Sequence, residues 1–128
     1  MLLNLTDLSE EPLQSQISRQ IRAKILAGEL GAGADLPSIR KFAKEHRVSV
    51  ITVQRAYESL EREGLIHSRR GKGFFVSELS EIAKKEMAKQ RLHENLEPPF
   101  VAALAEGLTP EDIQEIVSKV LRENGTAK

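Results

Sequence analysis

Hydrophobic residues recur near the start of the chain at the spacing of an amphipathic α-helix. Four apolar residues spaced four apart form a stripe on one helix face: Leu13, Ile17, Ile21 and Ile25. Pro12 suits a first helical turn and Gly28 suits the cap after the last one, so the pattern predicts a helix over residues 12–27. A short extended segment over residues 30–36 follows.

Two further helices are predicted close together. Ser38 is placed to cap the second helix, which ends near His46, and Ser49 is placed to cap the third, which ends at Gly64. The residues expected to face inward are Ile39, Phe42 and Ala43 in the second helix and Val53, Ala56, Tyr57 and Leu60 in the third. Only residues 46–48 join the two helices, which is the spacing of a helix-turn-helix.

A β-hairpin is predicted after the third helix. Two β-prone runs, residues 65–68 and 74–76, flank a basic loop over residues 69–73 that contains two glycines. A helix-turn-helix followed by a hairpin with a basic tip is a winged helix. The predicted fold class is therefore mainly α with a small β-hairpin. We expect a winged helix-turn-helix DNA-binding domain over residues 1–77 and a short helical dimerisation segment over residues 78–128.

The predicted C-terminal segment has apolar residues at helical spacing in a Lys/Glu-rich background. A fourth helix is expected over residues 78–96, with a break or kink at residues 97–99, because neither Pro98 nor Pro99 can donate a backbone hydrogen bond. A short helix over residues 100–106 and a last helix from Thr109 to about Arg122 should follow. Two thin helices cannot bury both apolar faces alone, so a partner surface is expected on this segment.

Composition narrows the class of protein. Hydrophobic residues make up 40% and charged residues 30% of the 128-residue chain, with no cysteine. No apolar run reaches the roughly 20 residues of a membrane span, and the N-terminus lacks the basic region of a secretory signal. A cytoplasmic protein without disulfides is therefore expected.

The net charge is zero, but it is unevenly distributed along the chain. Residues 1–77 hold 12 basic and 9 acidic residues, residues 78–128 hold 7 and 10, and residues 38–73 alone have a net charge of +5. A local basic segment within a neutral chain is typical of a nucleic-acid-binding surface.

The predicted winged helix indicates which residues contact DNA. In a helix-turn-helix, the N-terminal residues of the second helix reach base edges in the major groove while the preceding helix crosses the backbone. The candidates at the start of the third helix are Ser49, Val50, Ile51, Thr52, Gln54 and Arg55. Arg40 is placed to contact a phosphate. The candidates in the basic loop, which could reach the backbone or the minor groove, are Arg69, Arg70, Gly71 and Lys72.

Several of these residues have a structural alternative. Ser49 caps its helix whether or not DNA is bound, and Val50 and Ile51 could be ordinary surface residues, although an exposed Val or Ile can also pack on a thymine methyl. Arg55 could instead pair with acidic residues one turn on, within residues 58–63. The basic loop should add little to folding, so DNA contact is the better interpretation there.

Seven motifs together resemble the DNA-binding domain of GntR-family transcription regulators over about residues 11–76. They are PLQSQI at 12–17, GEL at 28–30, LPSIR at 36–40, VS at 48–49, TVQRAY at 52–57, LEREGLI at 60–66 and RGKGFFV at 70–76. The short tail resembles the YtrA-like subfamily. The resemblance implies a homodimeric repressor of a palindromic operator. It also implies that the operator contacts include Arg40, Ser49, Thr52, Gln54, Arg70 and Gly71.

Two features depart from the family pattern. The turn usually has glycine where this chain has Arg47, and the positions after the cap are usually polar where this chain has Val50 and Ile51.

A second hypothesis, a winged-helix protein-interaction module without DNA binding, is opposed by the basic loop. An enzyme is not predicted, nor a cofactor or metal, because the three histidines lack ligand spacing. A small-molecule effector is left open.

Overall fold

The computed structural model describes residues 1–125, and within that range it has five helices and a two-stranded sheet. They are α1 (Leu13–Leu26), α2 (Ile39–His46), α3 (Val50–Arg62), β1 (Ile66–Arg69), β2 (Gly73–Val76), α4 (Glu81–Ala105) and α5 (Pro110–Asn124). The chain divides into two compact units, Met1–Lys85 and Glu86–Lys128. The last three residues of the predicted segment 78–128 lie outside the described residues. The predicted fold class, mainly α with a winged helix-turn-helix hairpin, is confirmed.

The core of the first unit forms where α1 and α2 pack against α3. The apolar stripe of α1 supplies Ile17, Ile21 and Ile25, and all three are fully buried. The inward face of α3 supplies Val53, Ala56, Tyr57 and Leu60, which are also fully buried. Helical periodicity therefore identified the residues that hold the helix-turn-helix together, since both apolar faces pack inward.

A buried ion pair joins α1 to the end of α3. The Nε and Nη2 atoms of Arg22 donate to the two carboxylate oxygens of Glu63 at 2.8 and 2.7 Å, and Arg22 is only 6% exposed. Removing the Glu63 carboxylate would leave the buried Arg22 charge uncompensated, which costs about 3 kcal/mol or more. This pair therefore adds a polar link to the apolar packing of α3 on α1.

The segment before α1 is held to the helix-turn-helix by backbone hydrogen bonds. The Leu3 N–H donates to Nε2 of His46 at 3.1 Å, and His46 stacks on Phe42 with ring centroids 3.9 Å apart. The side-chain amide of Gln16 bonds to the backbone of Thr6 in both directions, at 3.0 and 2.7 Å. The chain start thus covers one side of the turn between α2 and α3.

The two helices of the predicted pair begin at their predicted caps. The Ser38 hydroxyl accepts from the Lys41 N–H and the Ser49 hydroxyl accepts from the Thr52 N–H, each at 3.1 Å. Between them Arg47 caps α2 in the left-handed conformation, with φ 54° and ψ 46°. Among residues 1–125 it is the only residue other than glycine with positive φ. The left-handed conformation explains why the family pattern has glycine where this chain has Arg47, because a Cβ is strained there.

The hairpin is longer and its loop shorter than predicted. Arg69 pairs with Gly73 as the last rung of the β1–β2 ladder, so the loop is the three residues 70–72 rather than five. The predicted extended segment also joins this sheet. Backbone hydrogen bonds link Gly33 to Val76 at 2.8 Å and Leu36 to Phe74 at 3.0 Å, and these long-range bonds had no local sequence signal.

Of the break or kink predicted at residues 97–99, the break is wrong, because α4 continues from Glu81 to Ala105 with Pro98 and Pro99 inside it. The φ of proline is close to the helical value, so the chain can continue as a helix through both residues, although neither donates a backbone hydrogen bond. The separate helix expected at residues 100–106 is part of α4. The helix after Thr109 begins as predicted, with a capping box between Thr109 and Asp112 that holds the pKa of the Asp112 carboxyl below its ordinary value.

Candidate nucleic-acid interface

The start of α3 combines a closed polar cap with two protruding apolar side chains. The Ser49 hydroxyl accepts from the Thr52 backbone and also shares a 2.7 Å hydrogen bond with the Thr52 hydroxyl. Val50 and Ile51, the first two residues of the helix, are 45% and 57% exposed. Its role as helix cap explains why a serine is found at position 49. The fold gives no comparable reason for apolar side chains at the exposed positions Val50 and Ile51.

The basic residues of the helix-turn-helix project from its surface. Arg40 in the first turn of α2 and Arg55 in α3 are exposed, and the described residues offer neither of them an ion-pair partner within 4.0 Å. The alternative that Arg55 pairs with an acidic residue one turn on therefore finds no support, because Glu58, three residues after Arg55, forms no ion pair with it within 4.0 Å. Gln54, next to Arg55, is also exposed.

The tip of the hairpin is built by two left-handed glycines. Gly71 has φ +74° and Gly73 has φ +97°, and the Lys72 N–H donates to the Arg69 carbonyl at 2.9 Å across the loop. A side chain other than glycine would strain both positions, so the glycines have a structural role. Arg70 and Lys72 flank Gly71 and are exposed.

Arg69 has a role in the hairpin itself, which the sequence did not indicate. Its guanidinium carbon lies 4.7 Å from the centre of the Phe75 ring, within the range of a cation–π contact. Arg69 therefore has a contact within the hairpin besides its proposed contact with DNA, although the side chain stays exposed.

Tyr57 joins the elements on which the candidate residues lie. Its hydroxyl donates to the Pro37 carbonyl at 2.8 Å, just before α2, and its ring makes edge contacts with Phe42 and Phe74. Burial, together with the negative charge of Glu45, raises the pKa of this tyrosine well above its ordinary value of 10.0. One side chain of α3 thus positions both the start of α2 and strand β2.

A second link from α3 to the hairpin was missed by the sequence reasoning. An oxygen of the Glu61 carboxylate accepts from the Ser68 hydroxyl at 3.0 Å and from the Ser68 N–H at 3.3 Å. Ser68 directly precedes Arg69, so this contact anchors the hairpin near its basic end. A Glu seven residues before a Ser is not a recognisable sequence signal, because only the turn at Gly64 brings the two together.

The predicted site residues fall into three groups, all within the Met1–Lys85 unit. The groups are Arg40 at the start of α2, residues 49–55 at the start of α3, and residues 69–72 at the end of the hairpin. Over residues 1–125, no cluster of three or more His, Asp or Glu side chains could hold a metal ion. None of the helices described is long and apolar enough to cross a membrane.

This arrangement of a capped helix pair and a basic hairpin defines the chain as a winged helix-turn-helix protein. The model of the family "Bacterial regulatory proteins, gntR family" matches residues 13–76, from the start of α1 to the end of the hairpin. The chain belongs to the GntR family and is a DNA-binding transcription regulator.

Relatives of similar length extend the likeness beyond the DNA-binding domain. The uncharacterized HTH-type transcriptional regulator YhcF of Bacillus subtilis is 36% identical, over 91% of this chain and 95% of YhcF. The HTH-type transcriptional repressor YtrA of Bacillus subtilis is 29% identical, over 93% of this chain and 92% of YtrA. A GntR family transcriptional regulator from Listeria monocytogenes has a solved structure with a TM-score of 0.68 and 29% identity, over 87% of this chain and 96% of that one. The predicted likeness to YtrA is confirmed.

Proposed function

We propose that this protein is a homodimeric repressor that binds a palindromic DNA operator. The observation that supports this most directly is the set of exposed basic side chains on three elements of one unit. They are Arg40 on α2, Arg55 on α3, and Arg69, Arg70 and Lys72 on the hairpin. Exposed cations without acidic partners are suited to phosphate contacts, which provide most of the affinity of a DNA-binding protein.

Each group has a distinct role in the proposal. Arg40 contacts a phosphate from the first turn of α2, and the start of α3 enters the major groove. There Ser49, Thr52, Gln54 and Arg55 provide hydrogen-bonding groups, while Val50 and Ile51 provide apolar ones. Arg69, Arg70, Gly71 and Lys72 approach the backbone or the minor groove of the adjacent DNA.

The homodimer is proposed from the C-terminal helices. Neither α4 nor α5 has a buried residue among those described, and Val101, Ile116 and Leu121 are each more than half exposed. An apolar surface of this kind is typical of a protein–protein interface. Two copies related by a two-fold axis would present their recognition helices to two inverted half-sites, which is why a palindrome is expected.

The proposal assigns the protein no catalytic step and no cofactor, and it places the protein in the cytoplasm, where its DNA partner is. YtrA, one of the relatives that match over nearly the full length, is named as a repressor, and this supports repression rather than activation. The proposal does not depend on a small-molecule effector.

A salt titration tests the DNA-binding proposal. Fluorescence anisotropy with a labelled generic duplex should show affinity falling steeply as salt rises from about 50 to about 200 mM, with a log–log slope of about −0.9 per phosphate contacted. Arg70→Ala should weaken operator binding by about 1–3 kcal/mol with an unchanged melting temperature. Lys72→Ala should likewise weaken binding, and it should make the log–log slope less steep by the amount that corresponds to about one phosphate contact.

Lys85→Ala is the matched control for charge, because Lys85 is an exposed lysine of the same unit on α4, outside the proposed interface. It should leave both affinity and slope unchanged. No binding to any duplex at low salt would reject the proposal, and the protein-interaction module would then be the better interpretation of the exposed Val50 and Ile51.

A further inference from the structure

The start of the proposed recognition helix, α3, presents two exposed apolar side chains. Val50 and Ile51 are exposed at its first two positions, whereas the hydroxyls of Ser49 and Thr52 on either side are bonded to each other at 2.7 Å. The most protruding groups at this helix end are therefore methyl groups. Exposed β-branched residues at a helix start do not improve folding, because Val and Ile have lower helix propensity than polar alternatives such as Glu or Gln.

The base edges of the major groove offer one apolar group to such a surface, the 5-methyl of thymine. We propose that Val50 and Ile51 are specificity-determining residues that recognise thymine methyl groups in each operator half-site. This inference rests on the proposed DNA-binding function. The exposed cations of the same unit, Arg40, Arg55 and Arg70, favour a polyanion over an apolar protein surface as the occupant of this end of the helix.

Helical spacing adds a second element to the recognised sequence. Val50 and Gln54 are four residues apart and lie on one helix face, as do Ile51 and Arg55. Gln bonds adenine and Arg bonds guanine through two hydrogen bonds each at the major-groove edge. The half-site should therefore place thymines at the end of the α3 footprint nearer the helix start, with adenine or guanine beside them.

Removal of single methyl groups from the DNA tests the inference on the unmodified protein. The operator is first selected from a random duplex pool, and each thymine is then replaced in turn by deoxyuridine, which lacks only the 5-methyl. We expect one or two positions in each half-site at which the replacement weakens binding by about threefold to tenfold, in line with the burial of one methyl group. The other positions should change affinity by less than about twofold.

Variants of the two side chains separate methyl contact from altered DNA stiffness. Val50→Ala and Ile51→Ala should each lower affinity for the selected site by a similar factor, and each should abolish the deoxyuridine effect at one position. Leu8→Ala is the matched control, since Leu8 is 93% exposed and lies in the N-terminal segment. It should keep both the affinity and the deoxyuridine effect. Circular dichroism melting confirms that the variants are folded.

The outcomes distinguish this inference from the function on which it rests. Sequence-specific binding that no deoxyuridine replacement weakens would overturn thymine recognition and leave the DNA-binding proposal intact. A deoxyuridine effect that persists unchanged in both alanine variants would also overturn it, because the methyl would then be sensed through DNA shape. Absence of all duplex binding would reject the proposed function itself.

Discussion

Arg47 shows how a single residue can preserve a turn at a cost in stability. It ends α2 with φ 54° and connects α2 to the cap of α3, so the path of the helix-turn-helix depends on its left-handed conformation. For a residue with a Cβ, that conformation costs roughly 1–2 kcal/mol. The side chain is exposed, and within residues 1–125 it has no ion pair that would offset this cost.

Arg47→Gly should therefore stabilise the protein. We expect the free energy of unfolding to rise by about 1 kcal/mol. For a unit of this size, that change corresponds to a melting temperature that is higher by roughly 4–8 °C. The reverse change, Gly64→Ala, is the control, because Gly64 has φ +80° and a Cβ there would meet no atom within 4 Å. It should destabilise by a similar amount. A destabilising Arg47→Gly would mean that the arginine side chain contributes to the fold.

At the scale of elements, Tyr57 couples α2, α3 and the hairpin. It is the only tyrosine of a chain without tryptophan, so its absorbance and fluorescence report on this junction alone. Its hydroxyl is bonded to the Pro37 carbonyl and its ring contacts Phe74 of β2. Because burial raises its pKa in the folded state, the neutral form stabilises the fold fully below pH 10 and this stabilisation is lost as the pH rises further.

An alkaline titration followed at the tyrosinate absorbance tests this coupling. The signal should stay absent through the ordinary tyrosine range near pH 10 and then appear together with the loss of helical circular dichroism. Tyr57→Phe should lower stability by about 1 kcal/mol through the lost hydrogen bond, and should lessen the destabilisation above pH 10. An ordinary titration of Tyr57 in the folded protein would contradict the buried junction.

At the scale of the whole molecule, the C-terminal helices should decide the oligomeric state. Leu121→Asp puts a charge on an α5 side chain that is 62% exposed in the single chain. If that face is covered by a second copy, sedimentation should show a dimer for the natural protein and a monomer for the variant. Affinity for a full palindrome should fall while affinity for one half-site is retained, because only the link between two binding units is lost.

Ser118→Asp supplies the same charge at an exposed polar position of α5 and should leave the dimer intact. A monomeric natural protein, or a dimer that survives Leu121→Asp, would reject the proposed dimer through this face. Either result would leave the assignment to the GntR family unaffected, since that rests on residues 13–76.

The sequence by itself determined the features that depend on neighbouring residues. The 3.6-residue apolar spacing located α1 and α3, and hydroxyl residues placed the starts of α2, α3 and α5, because a helix cap bonds to an N–H three residues on. The winged-helix class followed from the order of these elements. The contact residues named within it remain predictions, since exposure and position are consistent with DNA binding but do not test it.

Only the tertiary structure decided which distant residues meet. Arg22 bonds to Glu63 across 41 positions, Tyr57 to Pro37 across 20, and residues 33–36 extend the hairpin sheet. The sequence near each residue does not indicate such a pair, because in an isolated segment the same polar group would form its hydrogen bonds with water. The continuation of α4 through Pro98 and Pro99 was also decided by the structure, against the predicted break, since proline weakens a helix but its φ is compatible with one. The contacts of Arg22, Tyr57 and residues 33–36 link α3 and the hairpin to the rest of the first unit. The proposed function depends on the positions of these two elements.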